Sequence, residues 1–189
     1  LMEADPKSCE RSRPLAHETQ AEETIVISNG ILEVVVQDSV EVGTYTIRTG
    51  PHHSSPGQDV FFGGAAASPW STYNTIHVVD TKKEYVTTFE NKTPDSGYTL
   101  VHLDMMDPVV SFNSTAVTVS WQTLENLLVT QEIQLTGTTE ADTSVRVTVK
   151  VCNTDVHAHA VGIRYLWDLM IDGEDGSYLR PWMDSTTPG

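Results

Sequence analysis

Basic side chains are scarce in this chain: 11 Lys and Arg stand against 26 Asp and Glu, a formal net charge of −15. Nucleic acid and anionic membrane surfaces are bound through clustered Lys and Arg, so neither is expected as a partner. Long apolar runs are also missing. None approaches the roughly 20 residues a helix needs to cross a bilayer, so membrane insertion is not expected either. Cysteine is limited to Cys9 and Cys152, and neither lies in a C-x-x-C pair, which excludes the common zinc and redox motifs. In an oxidising compartment one disulfide tying the N-terminal tail to the strand at 145–151 is one expectation. Two thiols, one in a tail and one half-buried, is the equal alternative. There is no Gly-x-Ser-x-Gly elbow, His-Glu-x-x-His, Walker loop or dinucleotide fingerprint, which removes the commonest enzyme classes but not every enzyme. Gly63-Gly64 lacks the Lys-Ser/Thr of a phosphate loop.

What is present is a β pattern. Ile25-Val-Ile27, then Ser28-Asn-Gly30, then Ile31 to Gln37 reads as a hairpin, because Asn-Gly tolerates positive φ at the turn. Further strands are predicted at 43–48, 73–79, 84–89, 98–104, 116–122, 127–136, 144–151 and 160–168. Val145, Val147, Val149 and Val151 share one face while Arg146, Thr148 and Lys150 share the other. One apolar and one polar face is the mark of antiparallel sheet. No segment carries a helical period longer than two turns. The expected fold is an all-β antiparallel β-sandwich of about ten strands spanning 24–183. Residues 1–23, polar and with Pro6 and Pro14, are expected to form an extended arm or linker, and 184–189 a C-terminal tail or linker. The chain starts at Leu1 rather than Met, as a processed or excised fragment would. The stretch 49–70, rich in Gly, Pro and Ser, is a long loop that either binds a ligand or only crosses between strands.

Candidate chemistry concentrates near the end. His157 and His159 project to one side of an extended chain and suit a metal, with His52 and His53 as possible convergent ligands. The cupin pattern fails, because Ala160-Val-Gly-Ile-Arg164 follows where a Glu is needed; two turn histidines without metal is the plainer reading. Asp172, Glu174 and Asp175, among glycines, offer the flexible oxygen-rich setting of a calcium site, although the EF-hand spacing is absent and acidic glycine turns are ordinary. Arg164 and Asp168 share a strand face and read as a structural ion pair. Trp70, Tyr73 and Trp182 are candidates for a sugar-stacking platform, whereas Trp121 and Trp167 are in phase with apolar positions and assigned to the core. Asn91-Lys-Thr93 and Asn113-Ser-Thr115 are glycosylation sequons.

Asn153-Thr154, Val161-Gly-Ile-Arg-Tyr-Leu-Trp-Asp168, the acidic loop, Thr44-Tyr-Thr-Ile-Arg-Thr-Gly50 and Pro69-Trp-Ser-Thr-Tyr-Asn-Thr-Ile76 together resemble β-sandwich domains of large secreted or surface proteins of bacteria and archaea. These are shaped like the supersandwich of galactose-mutarotase-like proteins. The resemblance implies an extracellular scaffold or adhesion role. It carries no catalytic residues over, since the mutarotase His/Glu arrangement has no counterpart here. The expected function is therefore a non-catalytic extracellular structural or interaction module of a cell surface, adhesin or filament. Its partners would be protein subunits or glycans, with homo-oligomerisation through the N-terminal arm. The alternatives are a carbohydrate-binding module, with or without calcium, and a fragment of a carbohydrate-active enzyme.

Overall fold

The computed structural model describes residues 24–62, 69–87 and 93–170, together with the backbone of 171, 174 and 175. The described residues form eleven strands in three sheets, plus a two-stranded hairpin, and no α-helix. The first sheet is β1 (Thr24–Ser28), β2 (Leu32–Gln37) and β3 (Tyr45–Thr49) in that order. The second is ordered β11-β4-β5-β6, with β4 at Tyr73–Val78, β5 at Lys83–Val86, β6 at Thr99–His102 and β11 at Val161–Leu166. The third is ordered β10-β9-β8-β7: Val109–Phe112 (β7), Ala116–Gln122 (β8), Leu127–Thr136 (β9) and Ser144–Asn153 (β10). All pairs are antiparallel except β5 with β6, whose parallel pairing requires a long crossover through 87–98.

The period-two pattern explains how the sheets meet. Across the third sheet, Val117, Ile133 and Val147 form one inward row and Trp121, Val129 and Val151 another. In the first sheet Ile25, Val36 and Tyr45 line up, as do Ile27, Val34 and Ile47. In the second the row is Ile163, Ile76, Tyr85 and Val101. Apart from Ile163, which stays exposed, these rows converge on one hydrophobic core, to which all three sheets contribute. Removing each such aliphatic side chain from water is worth about 1.5–3 kcal/mol, so the core rows fix which face of each strand turns inward.

The segment 58–62 is a bridge between sheets. Val60 N–H donates to Ile47 O (2.9 Å), Met170 N–H donates to Val60 O (3.0 Å), and Phe61 pairs with Leu169. The expected crossover loop at 49–70 thus carries strand-like pairing in its middle. At one end of the molecule the β1–β2 and β9–β10 turns are tied together by Asn29. Its Nδ2 donates to Gly137 O (2.9 Å) and Thr143 Oγ1 (3.1 Å), while its Oδ1 accepts from Ile31 and Leu32 N–H. The Asn-Gly hairpin forms as expected, with Gly30 at φ +85°. At the opposite end Glu125, on the β8–β9 turn, accepts from Lys83 Nζ (2.6 Å), Tyr85 Oη (2.6 Å) and Thr81 Oγ1 (2.8 Å).

Three local expectations are corrected. Trp167, assigned to the core, is 56% exposed: β11 ends one residue earlier, at Leu166, and the ring lies tilted against Tyr165 at 6.1 Å between centroids. The strand expected from 84 begins one residue earlier, at Lys83, which pairs with Val78. Cys152 is buried rather than half-buried. Its expected disulfide partner Cys9 lies outside the described residues, as do the arm 1–23 and the tail 184–189.

Candidate functional site

The His-x-His stretch belongs to the loop joining β10 to β11. Asn153 organises it: Nδ2 donates to His157 O (2.7 Å) and Oδ1 accepts from Asp155 N–H (2.9 Å). Thr154 ties the loop to the β8–β9 turn through Asn126 O. The two imidazoles do different things. His159 is held at both ring nitrogens, Nδ1 against Asp80 Oδ2 (2.8 Å) and Nε2 against Asp155 Oδ2 (3.0 Å), and its side chain is only 7% exposed. The bond to Asp155, then that to Asp80, pushes the His159 pKa up, and the same contacts hold both carboxyls below the usual range. A ring donating from both nitrogens is a cation and offers no lone pair to a metal. His52 and His53 are at the other end of the molecule: His52 N–H donates to Gly30 O (2.8 Å), and His53 Nδ1 lies against Ser55. The histidines therefore do not converge.

The aromatic candidates are placed in part. Trp70 is 36% exposed, with its ring edge-on to Phe62 at 5.6 Å. Tyr73 is half-buried at the start of β4, opposite Leu166 of β11. Trp182 lies outside the described residues. The acidic stretch enters a hairpin in which β12 (Met170–Ile171) pairs with β13 (Glu174–Asp175). Asp172 lies outside the described residues, and of Glu174 and Asp175 only the backbone is described. Asn113 is exposed, but its Oδ1 accepts from Thr115 and Ala116 N–H and so closes the β7–β8 turn; Asn91 lies outside the described residues.

A cluster that sequence reading missed lies on the outer face of the second sheet. His77 of β4 and Glu84 of β5 are directly opposite each other. Asp95 approaches them from the turn before β6, so that one donor atom from each of the three lies within 4.8 Å of the others. The turn is built for this. Tyr98 N–H donates to Asp95 O (2.9 Å), with Gly97 at φ +81°, as a type II turn requires. Tyr98 in turn sets its ring edge-on against the His77 imidazole, 4.1 Å between centroids. Glu84 is 2% exposed, whereas Asp95 faces solvent. The His77–Glu84 pairing was legible in principle, since both residues are equidistant from the centre of the 79–82 turn. Asp95 had no such signal, because it arrives through the crossover.

The second distinctive surface is an open flank. β10 and β11 follow one another in the chain and are the outer strands of two different sheets. Val145, Val147, Val149 and Val151 point inward from β10 yet stay half-buried, and Ile163, beside the fully buried Ile76, is 42% exposed. No protein-family model, curated protein or solved structure matches this chain.

Proposed function

We propose that this chain is a non-catalytic structural or interaction module, a β-sandwich working at a cell surface or outside the cell. In this reading its open flank receives an extended segment of another protein subunit. The observation that carries the reading is the half-covered valine row of β10, together with the exposed Ile163 of β11, each on an outer strand of its sheet. An outer strand presents unpaired backbone groups, and added strands bind to such edges through main-chain hydrogen bonds with apolar side chains filling the gap. The occupant proposed is residues 1–23 of a second copy. At about 3.3 Å per residue, an extended segment of that length reaches across a neighbouring molecule. The net charge of −15 favours solubility in a salt-rich exterior. Light scattering coupled to gel filtration tests the reading on three proteins: the full chain, a chain lacking 1–23, and Val147→Asp. Self-association by the full chain and monomers in the other two is the expected outcome. Equal mass for all three would remove the proposal.

A second reading is favoured by the exposure of Trp70 next to Phe62. Flat rings pack on pyranose faces, so a glycan-binding role predicts array signals that Trp70→Ala abolishes. Silence of the wild-type chain on the array, with melting unchanged by excess calcium or EDTA, would count against it.

A further inference from the structure

We propose that His77, Glu84 and Asp95 bind a divalent first-row transition ion of the zinc class on the outer face of the second sheet. Three observations converge there. The donor atoms lie mutually within 4.8 Å, and a tetrahedral zinc with ligands at about 2.0–2.2 Å needs them roughly 3.3–3.5 Å apart, a closure that side-chain rotation supplies. His77 Nε2 is a buried atom with no hydrogen-bond partner among the described residues, an unusual state for an imidazole nitrogen inside a protein. Glu84 places a carboxylate that is only 2% exposed beside that nitrogen, an oxygen donor held out of bulk water.

The ligand chemistry selects the ion. One imidazole and two carboxylates suit zinc and its first-row neighbours, whereas calcium takes six to eight oxygens and magnesium keeps an all-oxygen shell. Two carboxylates also balance a divalent charge. The supports are arranged as a metal site needs them. Adjacent strands hold His77 and Glu84 in direct register, and Tyr98 packs edge-on to the imidazole and fixes its plane. Gly162 of β11 flanks His77 on the other side, where an added Cβ would stand 3.8 Å from the His77 Cβ. Asp95, on an exposed turn, closes the site from the solvent side and leaves a coordination position for water. The site uses none of the β10 valines that carry the proposed function, so its success or failure is distinguishable from that of the open flank.

The test uses the full chain, stripped with EDTA and dialysed, then titrated with zinc chloride. Calorimetry and metal analysis after gel filtration are expected to give one zinc per chain. Zinc at about 100 times its Kd is expected to raise the melting temperature by about 5–10 °C. Asp95→Asn and His77→Gln are each expected to weaken binding at least ~10-fold, while His157→Gln and the pair His52→Gln/His53→Gln leave it within about two-fold. Should His77→Gln fail to fold, Asp95→Asn decides the matter, since Asp95 is on an exposed turn. Three results would overturn the proposal: no zinc retained by the wild-type chain, wild-type affinity in Asp95→Asn, or loss of zinc in the surface-histidine variants. Calcium or magnesium binding as tightly as zinc through the same three residues would overturn the class of ion.

Discussion

Replacing Gln131 with leucine tests how the sheets are held together. Gln131 sits in the inward row of β9 among Leu127, Val129, Ile133 and Leu135, and it is fully buried. Its Nε2 donates to Gly43 O (2.7 Å), just before β3. Its Oε1 accepts from Asn74 Nδ2 of β4 (2.8 Å) and from the Tyr165 hydroxyl of β11. One side chain of the third sheet thus serves the other two. Leucine fits the volume and gains apolar burial, but it strands the Asn74 amide and the Gly43 carbonyl, both buried. A buried polar group without its partner costs about 1–3 kcal/mol, so the two together cost about 2–6 kcal/mol; Tyr165, half-buried, can turn to water. Taking a net loss of about 3 kcal/mol and a urea m-value of about 2 kcal/mol/M, the midpoint should fall by about 1.5 M at unchanged m. The double variant Gln131→Leu/Asn74→Leu removes one stranded group and should lose less than the sum of the singles. A midpoint shift below about 0.3 M, or strict additivity, would show that the buried amide does not tie the sheets together.

Other perturbations read out neighbouring features. Gly43 has φ +91°, and a Cβ there would stand 2.8 Å from the Trp121 ring, which is fully buried; Gly43→Ala should therefore cost about 2–4 kcal/mol by urea melting, and a loss under about 0.5 kcal/mol would contradict that packing. The Asp80–His159–Asp155 cluster should stabilise the fold most between roughly pH 4 and pH 6.5. The raised His159 contributes fully below its unfolded pKa and loses its contribution as pH rises through the folded value. The lowered Asp80 and Asp155 contribute above theirs and lose it as pH falls. His159→Gln should flatten melting temperature against pH on both sides of that window; an unchanged profile would refute the assignment. Burial pushes the Glu125 carboxyl up, but the bonds from Lys83, Tyr85 and Thr81 outweigh it and hold it below the usual range. Its contribution is present above about pH 4.3 and is lost as pH falls through the folded value. Glu125→Gln should cost about 1–3 kcal/mol at pH 7, discounted for the partial exposure of Lys83, and the cost should shrink in acid.

Strand faces were readable because side chains alternate. β8 and β9 begin and end where the apolar rhythm of 116–122 and 127–136 places them. β7 escaped notice, since Val109 and Val110 adjoin and four residues are too few to establish a rhythm; pairing with Val119 and Ser120 makes it a strand. Nothing in the local pattern around Asn153 and Thr154 shows that this loop brings His159 between two acids from different loops. Partners distant in the chain, such as Asp80 for His159, leave no trace in local pattern.

The valines of β10 mark the limit of what a periodic pattern conveys. Val145, Val147, Val149 and Val151 declare an inward face as clearly as any four residues in the chain, and the register with β9 confirms the direction. The pattern says which way a strand faces but not whether a second layer reaches far enough to cover it. Coverage depends on where the opposing sheet stops, and here it stops at β11, whose own Ile163 is also left open. Trp167 misled for the same reason: its phase is correct, but the strand ends one residue earlier. An apolar face that is correctly phased and incompletely covered argues for a partner more strongly than scattered exposed side chains do. Scattered apolar residues are normal on protein surfaces, whereas a row of four in one register keeps its exposure cost until another strand covers it.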